Sequence, residues 1–92
     1  MLTVIAYDIV DDRRREAVSA LLEDNGLRVN YSVFECELTG TELRQLAERL
    51  SQLIDAKKDR IILYRLCEGC RSRKSALGTS SQETGDNSIV IV

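Results

Sequence analysis

The sequence predicts an α+β domain with the element order β-α-β-β-α-β and an additional C-terminal strand. Two runs rich in β-branched residues, one at the start of the chain and one near residue 60, are typical of buried strands. Two other segments carry apolar residues at helical spacing, and the segment between them alternates apolar and polar residues as strands do. Ninety-two residues are enough for one hydrophobic core.

The first strand is Leu2–Val10, which is apolar on both alternating faces. This pattern is typical of a central strand that is covered on both sides. Asp8 is its only charge. It shares a face with Val4 and Ala6, whereas Tyr7 lies on the opposite face. We therefore expect a carboxylate near the end of an otherwise apolar strand.

Both helices carry start signals. Asp11 or Asp12 can cap the first helix by accepting hydrogen bonds from free amide groups, and Gly26 is placed as its left-handed stop. Thr39 and Glu42 have the spacing of a capping box for the second helix. The apolar stripes are Ala17, Val18, Leu21 and Leu22 in the first helix, and Leu43, Leu46, Ala47, Leu50, Leu53 and Ile54 in the second.

The remaining strands are shorter. Arg28–Leu38 predicts two strands with a bend at Asn30–Ser32, and Arg60–Leu66 predicts a fourth strand. Glu68–Ser88 has the composition of a loop, and Ile89–Val92 is a last strand that is too short to stand alone. We divide this single domain into a core, residues 1–66, and a segment, residues 67–92, whose basic loop and strand complete a dimer.

The prediction of a dimer comes from the number of helices. Two helices can cover only one face of a four-stranded sheet. Leu2–Val10 and Arg60–Leu66 nevertheless carry apolar residues on both faces. The uncovered face must be buried elsewhere, and a second copy of the chain is the simplest cover. We therefore expect a homodimer in which the two sheets face each other.

The composition excludes several classes of protein. No apolar run approaches the roughly 18 residues of a membrane-spanning helix. The N-terminus lacks the basic flank of a signal peptide, so we expect a cytoplasmic protein without membrane contact. Three cysteines argue against a disulfide framework, and the absence of histidine excludes an imidazole base. The net charge of −2 does not by itself predict nucleic-acid binding.

Asp8 needs an explanation, because a lone buried carboxylate costs several kcal/mol unless it is paired or binds a metal. It can pair with an arginine. Alternatively, it can meet the Asp8 of a second protomer and share a divalent cation. Mg²⁺ prefers one or two carboxylates together with waters and phosphate oxygens, so one aspartate from each chain would suffice.

Two basic clusters allow two interpretations each. Arg13, Arg14 and Arg15 lie in the first turn of the predicted helix, where positive charge opposes the helix dipole. They are either a solvated cluster neutralised by nearby acids or part of a phosphate-binding surface at the helix start. Arg71, Arg73 and Lys74 are either a solvated loop or a second contact to a nucleic-acid backbone.

The cysteines predict no metal. Cys67 and Cys70 have the spacing of half a zinc site, and Cys36 is the remaining thiol. A four-ligand site would need two chains or an acidic ligand, so we expect reduced thiols and no zinc.

Four segments of the chain resemble the CRISPR-associated Cas2 family, in the same order and spacing. They are YDIVDDRRREAV, the stretch from Gly26 through RVNYSVFECEL, LSQLID and DRIILYRL. The SVFE segment and the YD pair are the most specific. The resemblance extends from the N-terminus to about Leu66.

This resemblance implies a ferredoxin-like homodimer that acts in spacer acquisition during prokaryotic antiviral defence. In the family the dimer bridges copies of the Cas1 integrase and holds incoming double-stranded DNA. Metal-dependent endonuclease activity on RNA or DNA is also known, with the strand-terminal aspartate as metal ligand. That position is Asp8 here, with Tyr7 beside it as a second candidate catalytic residue.

The resemblance also assigns the nucleic-acid contacts. The family's basic positions at the helix start correspond to Arg14 and Arg15, and its basic residue before the second strand corresponds to Arg28. Its aromatic residue corresponds to Phe34, which we expect in an interface or supporting position.

Two functions therefore compete. In the first, Asp8 from both chains holds Mg²⁺ and the protein hydrolyses phosphodiesters. In the second, the protein is a non-catalytic adaptor whose arginines hold DNA and whose Asp8 is structural. A small-molecule regulatory domain is a third possibility. It would need a glycine-rich loop after the first strand, where this chain has aspartates and arginines.

Overall fold

The computed structural model describes residues 1–66. Its elements are β1 (Leu2–Asp8), α1 (Asp12–Glu23), β2 (Leu27–Asn30), β3 (Val33–Glu37), α2 (Gly40–Leu53) and β4 (Arg60–Leu66). The strands form one antiparallel sheet in the order β2-β3-β1-β4. The predicted α+β class and the β-α-β-β-α-β order of the ferredoxin-like fold are confirmed. The predicted loop and strand beyond Leu66 lie outside the described residues.

One face of β1 carries the hydrophobic core. Ile5 and Tyr7 are buried on this face, whereas Val4 and Ala6, which point to the other side, are only half-buried. Both helices pack against the buried face. The core consists of Ile5, Tyr7, Ile9, Val18, Leu21, Leu22, Phe34, Cys36, Leu38, Leu46 and Leu50. The apolar stripes predicted for the two helices therefore supply much of the core.

The opposite face of the sheet, which we call the open face, is covered by no helix among residues 1–66. Val4 lies opposite Tyr64 in the register between β1 and β4, and Ala6 lies opposite Ile62. On the other side of β1, Ala6 lies opposite Val33 of β3. Tyr64 is 54% exposed. The apolar residues predicted on both faces of β1 and β4 are thus present, but this part of the chain covers only one face.

The predicted helix starts are confirmed. The Asp11 carboxylate caps α1 by accepting a hydrogen bond from the backbone N–H of Arg14 at 3.0 Å. At α2, the Thr39 hydroxyl accepts from the Glu42 N–H at 3.1 Å, and the Glu42 carboxylate accepts from the Thr39 N–H at 2.9 Å. Neither helix of the described chain is long and apolar enough to cross a bilayer.

The predicted left-handed stop at Gly26 is wrong. Helix α1 already ends at Glu23, and Gly26 does not adopt a positive φ. The glycine is needed for space: a Cβ atom here would clash with the carbonyl oxygen of Glu35 and with Sγ of Cys36. The chain thus passes so close to β3 that only a residue without a side chain fits.

We expect Gly26→Ala to destabilise the protein by about 1–3 kcal/mol, because the clash is partly with backbone that cannot move aside cheaply. Urea unfolding measures this change. Gly40→Ala at the start of α2 is the matched control, since a Cβ atom added there would meet nothing within 4 Å. Equal stability of the two variants would show that Gly26 is not sterically required.

Candidate functional site

Asp8 lies at the end of β1, on the open face, and is exposed in the single chain. The carboxylate is exposed because the strand ends at Asp8 and no helix among residues 1–66 covers this side. Among residues 1–66, no ion pair or hydrogen bond holds the carboxylate. The predicted pairing with an arginine is therefore absent from the described chain, although Arg60 lies directly opposite in the register.

Asp8 lines two adjoining depressions. The larger, which we call the β1 groove, has a volume of about 460 Å³ and is bounded by the end of β1, helix α1 and the turn between β2 and β3. Its lining residues are Tyr7, Asp8, Ile9, Arg15, Glu16, Ser19, Arg28, Tyr31 and Ser32. The smaller depression, about 210 Å³, brings Asp8 together with Arg60 and Ile62. Asp8 thus connects the open face with the helix side of the sheet.

A single protomer does not supply a complete metal site within the described chain. No group of three or more histidine, cysteine, aspartate or glutamate side chains is placed to hold a metal among residues 1–66. An exposed carboxylate without a partner nevertheless suits a hard cation, and Mg²⁺ accepts waters and phosphate oxygens as its other ligands. Asp8 therefore fits a site that a second protomer or a bound phosphate completes.

The Arg14 guanidinium forms an ion pair within the protein. Its Nε donates to Oδ2 of Asp59 at 2.6 Å, and its Nη2 donates to Oδ1 at 3.2 Å. The Asp59 side chain is fully buried and also accepts from the backbone N–H of Asp55 at 2.9 Å. This ion pair ties the start of α1 to the start of β4. A phosphate contact by Arg14 stays a prediction, and it would have to share the guanidinium with Asp59.

The Arg14 hydrogen bond also determines the titration of Asp59. It lowers the pKa of this carboxyl group from 3.8 to about 2, against the opposing effect of burial. The N–H of Asp55 acts in the same direction as Arg14. Asp59 is therefore a carboxylate under all physiological conditions.

The other two arginines at the helix start differ in how free their guanidinium groups are to bind an external anion. Arg15 donates from Nη1 to the carbonyl oxygen of Ile9 at 2.6 Å and from Nη2 to the Asp12 carboxylate. This local pairing matches the interpretation of a cluster neutralised by nearby acids, yet Arg15 still lines the β1 groove. Arg13 is exposed and makes no ion pair with another residue of the described range. Arg13 is thus the most available of the three for an external anion.

The Arg28 side chain contacts helix α1, the turn between β2 and β3, and strand β3. Its guanidinium donates to the carbonyl oxygen of Tyr31, to the Ser19 hydroxyl and to the Glu23 carboxylate, the last at 3.0 Å. Its Cζ lies 4.8 Å from the centre of the Phe34 ring, in cation–π geometry. Hydrogen bonding to Glu23 raises the pKa of Arg28 further. A contact with nucleic acid stays a prediction for this residue.

Phe34 and Tyr7 form the apolar support beneath the β1 groove. Phe34 is fully buried, and its ring stacks on that of Tyr7 with centroids 6.3 Å apart. The Tyr7 hydroxyl donates to the carbonyl oxygen of Tyr31 at 3.4 Å. Phe34 is thus a core residue, and its role in an interface or in support of the site stays a prediction. The catalytic role of Tyr7 stays a prediction, since its described contacts position the neighbouring turn.

For three residues of this region, Asp59, Arg60 and Tyr31, the sequence analysis predicts no role. Asp59 and Arg60 lie where β4 begins and carry no recognisable local signal, because Arg14, the ion-pair partner of Asp59, lies 45 residues away and Asp8, opposite Arg60, lies on another strand. Tyr31 is 88% exposed at the turn between β2 and β3, which confirms the predicted bend at Asn30–Ser32. The only sequence feature that could have pointed to Tyr31 is an aromatic side chain inside a predicted bend.

The cysteines and the second basic cluster fall largely beyond Leu66. Cys67, Cys70, Arg71 and Arg73 lie outside the described residues. Cys36 is fully buried in the core, and burial raises the pKa of its thiol. This favours the protonated thiol over the thiolate that zinc requires.

The fold and the β1 groove define a small α+β protein with an exposed carboxylate beside several guanidinium groups. The sequence model of the family described as CRISPR associated protein Cas2 matches residues 1–74. The chain belongs to this family.

Individual relatives agree with this assignment. The CRISPR-associated endoribonuclease Cas2 1 of Chloroflexus aurantiacus is 41% identical over 93 residues, and the alignment covers 100% of both chains. Cas2 of Streptococcus pyogenes has a similar structure, with a TM-score of 0.75, 36% identity and coverage of 85% of this chain and 100% of that one. A chain of a partial Cas6-RT-Cas1–Cas2 complex matches with a TM-score of 0.70 and 28% identity, covering 90% and 98%.

The low pKa of Asp59 predicts a specific acid sensitivity. Because the folded-state pKa of about 2 lies below the ordinary value of 3.8, the ion pair stabilises the protein fully above about pH 4. This stabilisation is lost as the pH falls toward 2. Asp59→Asn should lower the free energy of unfolding at neutral pH, and its deficit relative to the natural chain should shrink on acidification.

Urea unfolding over this pH range measures the difference. Asp12→Asn is the control, because its carboxylate is 85% exposed and an exposed pair contributes little. A deficit for Asp59→Asn that stays constant between neutral pH and pH 2 would contradict the assigned ion pair.

Proposed function

We propose that the protein acts in CRISPR adaptation as a homodimer that holds double-stranded DNA together with the Cas1 integrase during spacer acquisition. Family membership supports the CRISPR context, and the similar chain in a complex that contains Cas1 and Cas2 supports a Cas1 partner. The arginines around the β1 groove supply the positive charge that a phosphate backbone attracts. Phosphate contacts of this kind carry no sequence information directly.

The open face supports the dimer. Val4, Ala6, Ile62 and Tyr64 present apolar surface that the helices of the same chain do not cover. A second copy packed on this face would bury these side chains, and contiguous apolar surface of this kind marks interaction sites. Asp8 borders the same face at the end of β1, so a twofold arrangement can bring two of these carboxylates together.

We further propose that the dimer is a metal-dependent endonuclease, with Asp8 of each protomer holding Mg²⁺. The observation that supports this proposal is an exposed Asp8 carboxylate that has no partner in residues 1–66 and lines a groove with the guanidinium groups of Arg15 and Arg28. When bound, the ion would neutralise phosphate charge and activate a water molecule. Arg15 would orient the phosphate backbone along the groove, and Tyr7 would hold the neighbouring turn. The endoribonuclease name of the Chloroflexus aurantiacus relative is consistent with hydrolysis.

A second candidate function is that of a purely non-catalytic adaptor. Its supporting observation is that Arg13 is exposed without an ion pair in the described range and Arg15 lines the β1 groove, so that phosphate contacts by these arginines need no metal. In this case the protein would bind DNA and Cas1 without cleaving either RNA or DNA, and Asp8 would be structural.

The substitution Asp8→Asn separates the two functions. For the endonuclease we expect loss of Mg²⁺-dependent cleavage of RNA and DNA oligonucleotides by at least about 100-fold, since a lost metal ligand typically abolishes the catalysed step. Binding to duplex DNA should persist, because the arginines are unchanged. Cleavage is measured on labelled oligonucleotides with and without EDTA.

Two control variants accompany this experiment. Asp12→Asn removes an exposed carboxylate at the start of α1, beyond the end of β1, and should leave cleavage intact. Arg15→Ala should flatten the salt dependence of duplex binding by about one unit of slope. Cleavage by Asp8→Asn at the rate of the natural chain would overturn the endonuclease proposal and leave the adaptor.

A further inference from the structure

Tyr31 combines an exposed ring with a firmly held backbone. The residue is 88% exposed, and it lines the β1 groove together with Asp8. A single exposed aromatic residue is ordinary on a protein surface. The hydrogen bonds around Tyr31 make this one unusual.

The turn that carries Tyr31 is fixed from several directions. The carbonyl oxygen of Tyr31 accepts hydrogen bonds from the Arg28 guanidinium and, at 3.4 Å, from the Tyr7 hydroxyl. Its N–H donates to the side-chain oxygen of Asn30 at 2.8 Å. The next carbonyl oxygen, that of Ser32, accepts from the Tyr7 N–H at 3.0 Å. A ring displayed on such a backbone loses little conformational freedom when it binds a ligand.

The surroundings of Tyr31 indicate the chemistry of that ligand. Arg15 and Arg28 line the same groove beside the carboxylates of Asp8 and Glu16 and offer guanidinium groups to a phosphate, while the tyrosine offers a flat aromatic face. Cationic side chains combined with an exposed aromatic ring are the usual features of single-strand binding sites, where the bases stack on the ring. In a duplex the bases are already stacked and paired, so an internal base cannot reach such a ring.

We propose that Tyr31 stacks on an unpaired nucleobase of a single-stranded nucleic acid bound in the β1 groove. The inference rests on the proposed function, in which this groove binds nucleic acid beside Asp8. It makes Tyr31 a determinant of substrate preference, because a strand with an unpaired base next to Asp8 can contact the ring, whereas a continuous duplex cannot. The three α1 residues in the lining, Arg15, Glu16 and Ser19, place the groove on the helix side of the sheet. A second copy packed on the open face would therefore leave it accessible.

The test uses the full chain with Asp8→Asn, so that no probe is cleaved during binding. Single-stranded RNA, single-stranded DNA and blunt duplex DNA of the same sequence and length are titrated separately. Tyr31→Ala should weaken binding of the single strands by about 5- to 150-fold, which corresponds to 1–3 kcal/mol per stacked base. Tyr31→Phe should bind within about twofold of the parent, since stacking needs the ring and not the hydroxyl. Duplex affinity should be unchanged in both.

A fluorescence signal checks the contact directly. The chain contains no tryptophan, so Tyr31→Trp introduces a unique fluorophore. We expect its emission to be quenched by the single-stranded probes and not by the duplex. Leu27→Ala is the matched control, because Leu27 is 65% exposed at the other end of the same hairpin. It should leave every affinity unchanged.

The possible results are distinguishable. If Tyr31→Ala binds both single strands as tightly as its parent, the stacking inference is overturned and the proposed function stands. If Tyr31→Ala instead converts a dimer into a monomer in light scattering without changing single-strand affinity, the ring belongs to an interface and the inference is again overturned. If the natural chain binds neither single strands nor duplex at low salt, the proposed function fails as well. If Tyr31→Ala weakens binding of only the single-stranded RNA or only the single-stranded DNA, the result supports stacking and identifies which nucleic acid the site prefers.

Discussion

Among residues 1–66, only one face of β1 is buried, and this determines where the core, the open face and the β1 groove lie. β1 lies between β3 and β4, and both helices pack on the face that carries Ile5 and Tyr7. The alternation of a strand then directs Val4, Ala6 and Asp8 to the open face. One strand thus contributes to the core, to the proposed dimer surface and, at its end, to the proposed metal site. A shift of its register by one residue would exchange all three.

The polar groups around the end of β1 divide into those that build the site and those that face outward. Arg14 with the buried Asp59 fixes α1 against β4, and Arg28 with Tyr7 fixes the turn at Tyr31. These contacts hold the groove's walls in place before any ligand arrives, which lowers the cost of binding. The position at the helix start and the family resemblance both suggest a phosphate contact for Arg14, and the resemblance suggests one for Arg28. Their internal ion pairs show that they also serve the architecture of the site.

How far the sequence predicts this structure depends on the range of the interactions. The capping box of Thr39 and Glu42 is predictable because its partners lie three residues apart. The ion pair of Arg14 with Asp59 spans 45 residues and exists only because β4 begins beside α1, so no local pattern records it. Gly26 stands out in the sequence as a turn signal, whereas its close approach to β3 is visible only in the fold. The exposure of Asp8 in the single protomer agrees with the expectation that two helices cover only one face of the sheet.

In the proposed dimer, a second copy covers the open face and brings two Asp8 carboxylates together. Sedimentation velocity of the natural chain and of Ile62→Glu, at several micromolar concentrations, tests it most directly. Gln52→Glu is the matched control, because it adds the same charge at an exposed position of α2. If this dimer forms, the natural chain and the control sediment as a species of twice the protomer mass, and Ile62→Glu sediments as a folded monomer. A natural chain that sediments as a monomer at every concentration would contradict it.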